Sequence, residues 1–157
     1  MENSNFERLI ALAESVFSTR NDPNQLDVDE AVIERLNKLH PSCVSEFDEG
    51  NGPVCWVLLF PTTQALMQAF LKKEISEKEL FDLTPLNETY DCLYLCSALV
   101  LEEYRRKGIA STLAIRAIHE IQKTHPIQTL FVWAYTPEGD AASKFLASQL
   151  NLPLLSR

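Results

Sequence analysis

The chain has 157 residues, of which 46% are hydrophobic and 23% charged, and its formal net charge is −8. This length suffices for one hydrophobic core without disulfides or metals, so we expect a single domain over residues 1–157. The negative charge argues against nucleic acid as a partner, and the apolar runs are far shorter than the ~20 residues of a membrane helix. With no signal-peptide pattern, the sequence predicts a cytoplasmic protein without a membrane partner.

The charge is distributed unevenly along the chain. Residues 1–104 hold 7 basic and 19 acidic side chains, whereas residues 105–157 hold 7 basic and 3 acidic ones. The second part therefore suits a polyanionic ligand, and the first part attracts a cationic co-substrate. Alternatively, the acidity serves only to keep the protein in solution.

Two helices are predicted before any strand. Apolar residues recur at helical spacing over residues 6–17, and the turn-forming residues 21–24 end this first amphipathic helix. Asp27 or Asp29 can cap a second helix, which should stop before Pro41 because the residue preceding a proline disfavours the helical conformation.

A hairpin and two further helices follow. Residues 43–48 and 54–60 are β-like runs separated by the turn-rich residues 49–53, a pattern typical of a hairpin. Residues 62–73 have helical periodicity, and residues 76–79 resemble a capping box that opens a short helix.

The second part of the chain alternates strands with helices. Residues 92–101 are nearly all apolar, as expected for a central strand covered on both faces. A helical pattern over residues 109–121 and a strand-like run over residues 129–135 follow, so we predict a parallel strand pair. A last helix over residues 141–150 and a short strand within residues 152–155 complete the chain.

The four cysteines give no sign of a metal site. Cys43, Cys55, Cys92 and Cys96 all lie in strand-like stretches, and none belongs to a C-x-x-C pair. This arrangement favours small buried hydrophobic side chains over zinc ligands or a disulfide framework, and no metal is expected.

The most informative stretch connects the predicted central strand to the helix that follows it. A new helix begins with free backbone N–H groups and the positive end of its dipole, which suits a phosphate. Gly108 lets the backbone approach such a group without a Cβ, and the basic side chains add positive charge. The alternative is an exposed basic turn. The candidate phosphate-binding residues are Arg105, Arg106, Lys107, Gly108, Ile109, Ala110 and Ser111.

The pattern R-x-x-G-x-A in this position resembles the acyl-CoA-binding motif of the GNAT superfamily of N-acyltransferases, and the order of elements agrees with that family. The resemblance implies an α/β (α+β) fold: a central mixed sheet with a V-shaped splay between the fourth and fifth strands and helices on both faces. Residues 92–101 would be the fourth strand. Residues 1–91 would form the acceptor side, and residues 92–157 the acyl-CoA-binding half.

The same resemblance implies an N-acetyltransferase that moves an acetyl group from acetyl-CoA to a primary amine by direct attack in a ternary complex. The acceptor would be a small-molecule or peptide amine, and the protein a monomer or homodimer. The backbone of Ala98 and Val100 would pair with the pantetheine arm. A backbone N–H near Ala98 or Leu99 would bind the thioester carbonyl and stabilise the oxyanion.

The chain departs from the family at the residues expected to transfer protons. An alkylamine with a pKa near ~10.4 must lose a proton before it attacks. Family members often place an acidic base on the fourth strand, where this chain has Tyr94 and two cysteines. Tyr94 and Glu46 are therefore our candidate bases, with further carboxylates as alternatives. These alternatives are Asp48, Glu88 and Asp91.

The last helix also departs from the family. Leu146 occupies the position of the tyrosine that often protonates the leaving thiolate, and Gly139 that of an asparagine that contacts pantetheine. Tyr135 is a candidate substitute, unless it is only a partly buried aromatic residue. The missing groups support an alternative function, a CoA-binding regulatory or interaction module. A nucleotide-binding P-loop is disfavoured because Lys107 precedes the glycine.

Overall fold

The computed structural model describes residues 4–20, 26, 29–133 and 136–157, with the backbone alone for residues 16–20. Short 3-10 turns at Pro41–Cys43 and Glu102–Tyr104 accompany the main elements. The helices are α1 (Asn5–Arg20), α2 (Glu30–Leu39), α3 (Gln64–Leu71), α4 (Glu77–Leu83), α5 (Ile109–Gln122) and α6 (Pro137–Leu150). The strands are β1 (Val44–Asp48), β2 (Pro53–Thr62), β3 (Cys92–Val100), β4 (Thr129–Val132) and β5 (Leu154–Ser156).

The strands form one mixed sheet in the order β1-β2-β3-β4-β5. The first three strands pair antiparallel, and β3, β4 and β5 pair parallel, which confirms the predicted hairpin and the predicted parallel pair. Helices cover both faces. The apolar run of β3 is central, as expected, but it is the third of the described strands and not the fourth, because the described residues before it form only the hairpin.

Side-chain caps set the starts of most helices. The Asp29 side chain accepts the Val32 N–H at 2.9 Å and begins α2, while the predicted alternative Asp27 lies outside the described residues. The predicted capping box of α4 is confirmed. The last helix begins at Pro137, four residues before the predicted start. The Pro137–Asp140 segment reads as a turn in sequence, but proline is favourable in the first turn of a helix.

An aromatic cluster fills the core on one side of β3. The Tyr94 ring lies 5.3 Å from Phe60, 5.2 Å from Phe70 and 5.0 Å from Phe131, measured between ring centroids. These rings join β2, β3, β4 and α3, so the centre of the sheet is held by large side chains, of which Phe60 and Phe70 pack edge to face against Tyr94 while Phe131 is tilted against it.

Three of the four cysteines are buried, as predicted, whereas Cys96 is only partly buried. Burial raises the pKa of the Cys43 thiol to about 12, that of Cys55 to about 11 and that of Cys92 to about 12. Cys43 lies in a 3-10 turn, because Pro41 favours that turn, and not in the predicted strand. Within the described residues, no group of three or more His, Cys, Asp or Glu side chains is placed to hold a metal ion. No described helix is long and apolar enough to cross a membrane.

Two histidines pack together where α2 and α5 end. Their ring centroids are 6.3 Å apart, and each Nδ1 accepts a backbone N–H, from Ser42 to His40 at 3.0 Å and from Tyr90 to His125 at 3.4 Å. Burial lowers the pKa of His40, with a further decrease from His125 and a partial offset by a nearby glutamate. Burial also lowers the pKa of His125. The fold therefore favours the neutral form of both rings.

The free energy of unfolding should fall as the pH drops below the ordinary histidine pKa of 6.5. The unfolded chain then binds protons that the folded rings resist, and the loss continues down through their lowered pKa values. His40→Asn keeps an oxygen acceptor for Ser42 N–H without titrating. Its urea midpoint should therefore change less than that of the unsubstituted protein between about pH 7.5 and about pH 5.5. The control is His119→Asn, which changes an exposed histidine of α5; equal pH dependence in both variants would contradict this account.

Candidate functional site

The two central parallel strands stay paired over only part of their length. Within the described residues, the pairing of β3 with β4 runs from Cys92↔Thr129 to Leu95↔Val132. β3 then continues to Val100. At the same point its register with β2 passes from Leu59↔Leu95 to Leu58↔Ser97, so Cys96 is the extra residue of a β-bulge. The expected splay therefore opens between β3 and β4, immediately after Leu95.

A cavity of about 730 Å³ fills this splay and extends between α5 and α6. Such a volume is typical of small-molecule and cofactor sites. Its wall is mostly apolar. Among the described residues, the wall consists of Val57, Leu58, Leu59, Leu95, Cys96, Ser97, Ala98, Ala110, Ser111, Ala114, Val132, Trp133, Thr136, Glu138, Gly139, Ala142, Ser143 and Leu146.

The backbone just before α5 adopts left-handed conformations. Arg106 has φ 64°, which is unusual for a residue with a side chain, and Gly108 has φ 75°. A Cβ built on Gly108 meets no heavy atom within 4 Å outside its immediate neighbours, so the space above it is open. Turns of this kind point successive N–H groups towards one place and bind anions. Strained backbone is typically retained where a site uses it.

The start of α5 differs from the starts of the other helices. At each of the other helices, a side-chain oxygen of the capping residue accepts an N–H of the first turn. The residue at this position before α5 is Gly108, which has no side chain to accept one. The first α5 bond runs from the Thr112 N–H to the Gly108 carbonyl at 3.0 Å. The N–H groups of Ile109, Ala110 and Ser111 precede this bond and can bind an anion. Ala110 and Ser111 also line the cavity. The capping residues of the other helices are Ser4, Asp29, Thr63, Ser76 and Thr136.

Two contacts anchor the segment before α5. The Nε of Arg105 donates to the Val100 carbonyl at 3.0 Å and so joins the basic turn to the end of β3. Arg8 on α1 donates to both carboxylate oxygens of Glu103, at 2.5 and 2.7 Å. This hydrogen-bonded pair lowers the pKa of Glu103 to about 2. The basic turn is therefore held from β3 and from α1.

The structure brings together many of the predicted acyl-CoA residues. Ala98, Ala110 and Ser111 line the cavity. Leu99 is buried beside them and pairs with β2. The remaining residues surround the end of β3 and the start of α5, and the basic side chains among them are exposed. These residues are Val100, Arg105, Arg106, Lys107, Gly108 and Ile109.

Tyr94 lies in the aromatic core rather than in the cavity wall. It is 1% exposed, and its hydroxyl donates to Glu77 Oε2 at 2.5 Å. Glu77 is equally buried, and its other carboxylate oxygen accepts the Leu26 N–H at 2.7 Å. The sequence indicates no such pair, because Glu77 appears only as a residue of the α4 capping box. A catalytic role for Tyr94 stays a prediction, and its structural role is evident.

Of the two other candidate catalytic residues, Glu46 lies within the described residues and does not line the cavity. Glu46 lies exposed on β1, two strands from the splay, and its carboxylate accepts the indole N–H of Trp56 at 2.8 Å. Tyr135 lies outside the described residues. Catalytic roles for both stay predictions.

Much of the cavity wall comes from residues that sequence reasoning did not select. Thr136 and Glu138 line it because α6 begins earlier than its apolar pattern indicates. Cys96 and Ser97 line it because of the bulge and the splay. One signal was available for Ser97, the single short hydroxyl side chain in the otherwise apolar run of β3.

The uncapped start of α5, the mostly apolar cavity and the length of β3 beyond its pairing with β4 adjoin one another, an arrangement that suits an elongated ligand with one anionic end. A model of the acetyltransferase (GNAT) family matches residues 13–150. The chain therefore belongs to the GNAT acetyltransferase family, whose general activity is acyl-CoA-dependent N-acyl transfer to an acceptor substrate. A search of curated proteins gives no match.

Proposed function

We propose that the protein is an N-acetyltransferase that moves the acetyl group of acetyl-CoA to a primary amine by direct attack within a ternary complex. The observation that carries this proposal is the spatial order of three features of the site. The uncapped start of α5, the cavity and the free length of β3 follow one another along a single path. Acetyl-CoA has a matching order of parts: a diphosphate, an extended pantetheine arm and a thioester.

The described residues fit such a ligand. The N–H groups of Ile109, Ala110 and Ser111 would bind the diphosphate, and the open space above Gly108 would admit it. The backbone of Ala98 and Val100 would pair with the pantetheine amides. A backbone N–H near Ala98 or Leu99 would hold the thioester carbonyl and stabilise developing negative charge there. Acetyl-CoA supplies the activated acyl group, and the fold supplies position and exclusion of water.

The two halves of the chain have different roles in this proposal. Apart from three β2 residues, the described cavity wall comes from residues 92–157, which we assign to acyl-CoA. The β2 residues are Val57, Leu58 and Leu59. Residues 1–91 would form the acceptor side, where the excess of acidic side chains favours a cationic amine. The acceptor would be a small-molecule or peptide amine.

A second candidate function rests on the departures of this chain from the proton-transfer residues that are usual in the family. Leu146, at the position where the family often has a tyrosine, lines the cavity, and neither Tyr94 nor Glu46 does. A module that binds CoA and regulates a partner would need no such groups. Thiol release from acetyl-CoA over a panel of amines separates the two functions: turnover supports the enzyme, and tight binding without turnover supports the module.

Arg105→Ala should weaken acetyl-CoA binding about tenfold, equivalent to about 1.4 kcal/mol. The variant loses a positive charge beside the proposed diphosphate and the contact that joins the basic turn to β3. Isothermal titration calorimetry with acetyl-CoA measures the effect directly.

The matched control is Arg116→Ala, which removes the same charge from an exposed position about two turns further along α5. This control should bind acetyl-CoA like the unsubstituted protein. Absence of acetyl-CoA binding by the unsubstituted protein, or equal losses in both variants, would refute the assignment of this turn to the diphosphate.

A further inference from the structure

Ser97 stands out among the hydroxyl-bearing residues that line the cavity. Its Oγ is buried, and the structure gives it no hydrogen-bond partner. The other hydroxyls of the wall whose partners are described are already engaged. Thr136 Oγ1 accepts the Gly139 N–H at 2.9 Å, and Ser143 Oγ donates to the Gly139 carbonyl at 2.9 Å.

An unpaired buried hydroxyl is unfavourable for the folded protein, because folding removes it from water without replacing its hydrogen bonds. Ser97 also interrupts a strand that is otherwise nearly all apolar. A cost of this kind is expected where a ligand completes the hydrogen bonding.

The position of Ser97 indicates which part of a ligand it meets. It follows the bulge at Cys96 and lies beyond Leu95, the last β3 residue that pairs with β4. Ser97 is about 10 Å along the extended strand from Val100, where the basic turn is anchored. A ligand whose phosphates lie at α5 and whose arm follows β3 therefore meets Ser97 with a part of the arm that lies beyond its phosphates.

We infer that the Ser97 side chain rotates about χ1 when acyl-CoA binds, so that its hydroxyl leaves its buried position, donates a hydrogen bond to the thioester end and positions the group that is transferred. This inference rests on the proposed function. A serine hydroxyl has one donor hydrogen, and the thioester offers a carbonyl oxygen and a sulfur as acceptors. Ser97 is thus a binding residue for the thioester, distinct from the residues that hold the phosphates.

The test compares acetyl-CoA with desulfo-CoA, an analogue that has the nucleotide and the arm but neither sulfur nor acyl group. Ser97→Ala should weaken acetyl-CoA binding about fivefold in calorimetry, equivalent to about 1 kcal/mol. Its affinity for desulfo-CoA should equal that of the unsubstituted protein. Ser97→Thr, which keeps the hydroxyl, should restore most of the affinity for acetyl-CoA.

Stability gives a second readout that does not depend on the ligand. Ser97→Ala removes an unpaired polar atom, so the melting temperature without ligand should stay unchanged or rise. Ser45→Ala is the matched control, since Ser45 lies on β1 with its hydroxyl bonded to the Ser42 carbonyl at 3.3 Å. This control should leave both affinities unchanged.

The outcomes separate the inference from the proposed function. If Ser97→Ala binds acetyl-CoA as tightly as the unsubstituted protein, or loses equal affinity for both ligands, the inference is overturned while the proposed function stands. If the unsubstituted protein binds neither ligand, the proposed function is overturned and the inference with it.

Discussion

Gly108→Asp should weaken acetyl-CoA binding about a hundredfold or more, equivalent to about 2.7 kcal/mol. The substitution places a carboxylate in the open space above the start of α5, where the diphosphate is proposed to bind. The new charge repels phosphate and competes for the N–H groups of the first turn. Asparagine and aspartate tolerate left-handed backbone best among residues with side chains, so the variant should fold. Isothermal titration calorimetry with acetyl-CoA gives the affinity.

Two control variants separate charge, shape and backbone strain. Gly108→Asn adds nearly the same shape without the charge, and it should weaken binding by roughly tenfold, less than aspartate does. Gly50→Asp tests strain alone, because Gly50 has φ 119° and open space around its Cβ position but lies in the β1–β2 turn. It should cost stability without changing affinity. If Gly108→Asp binds acetyl-CoA like the unsubstituted protein, the diphosphate does not lie at α5.

Local signals in the sequence were sufficient to predict the parts that frame the cavity. The apolar run of β3, the helical period of α5 and the glycine between them predict a strand, a turn and a helix without any knowledge of the rest of the chain. The hairpin is equally local. Its Asp48 accepts the N–H groups of Gly50 and Gly52, so the turn residues themselves explain the chain reversal.

The features that shape the interior of the site depend on tertiary pairing. The bulge at Cys96 has no glycine or proline to mark it and arises only from the register of β3 against β2. The apolar pattern places the start of α6 too late, because the first turn of this helix contains a proline and a glycine. The Thr136 cap, which accepts the Gly139 N–H, makes that turn helical. The proposed donor to the thioester, Ser97, depends on both the bulge and the splay.

The pair formed by Tyr94 and Glu77 is likewise inaccessible to local reasoning, since its members lie 17 positions apart in the sequence. Tyr94→Phe should lower the free energy of unfolding by about 2 kcal/mol, because a buried carboxyl oxygen loses its phenol donor. Tyr90→Phe is a matched control. Tyr90 is equally buried, but its hydroxyl donates to the neutral Pro85 carbonyl, so a smaller loss is expected. Urea denaturation followed by circular dichroism measures both losses.

The same variant decides between a structural and a catalytic role for Tyr94. Because its side chain lies outside the described cavity wall, Tyr94→Phe should bind acetyl-CoA with unchanged affinity and turn over normally per folded molecule. A double-mutant cycle with Glu77→Gln should give a coupling energy of about 1 kcal/mol or more, as expected for direct contact. The opposite pattern, unchanged stability with lost turnover, would assign the phenol to proton transfer. Packing would then have to open during catalysis to bring the phenol to the amine, since the described fold leaves Tyr94 only 1% exposed.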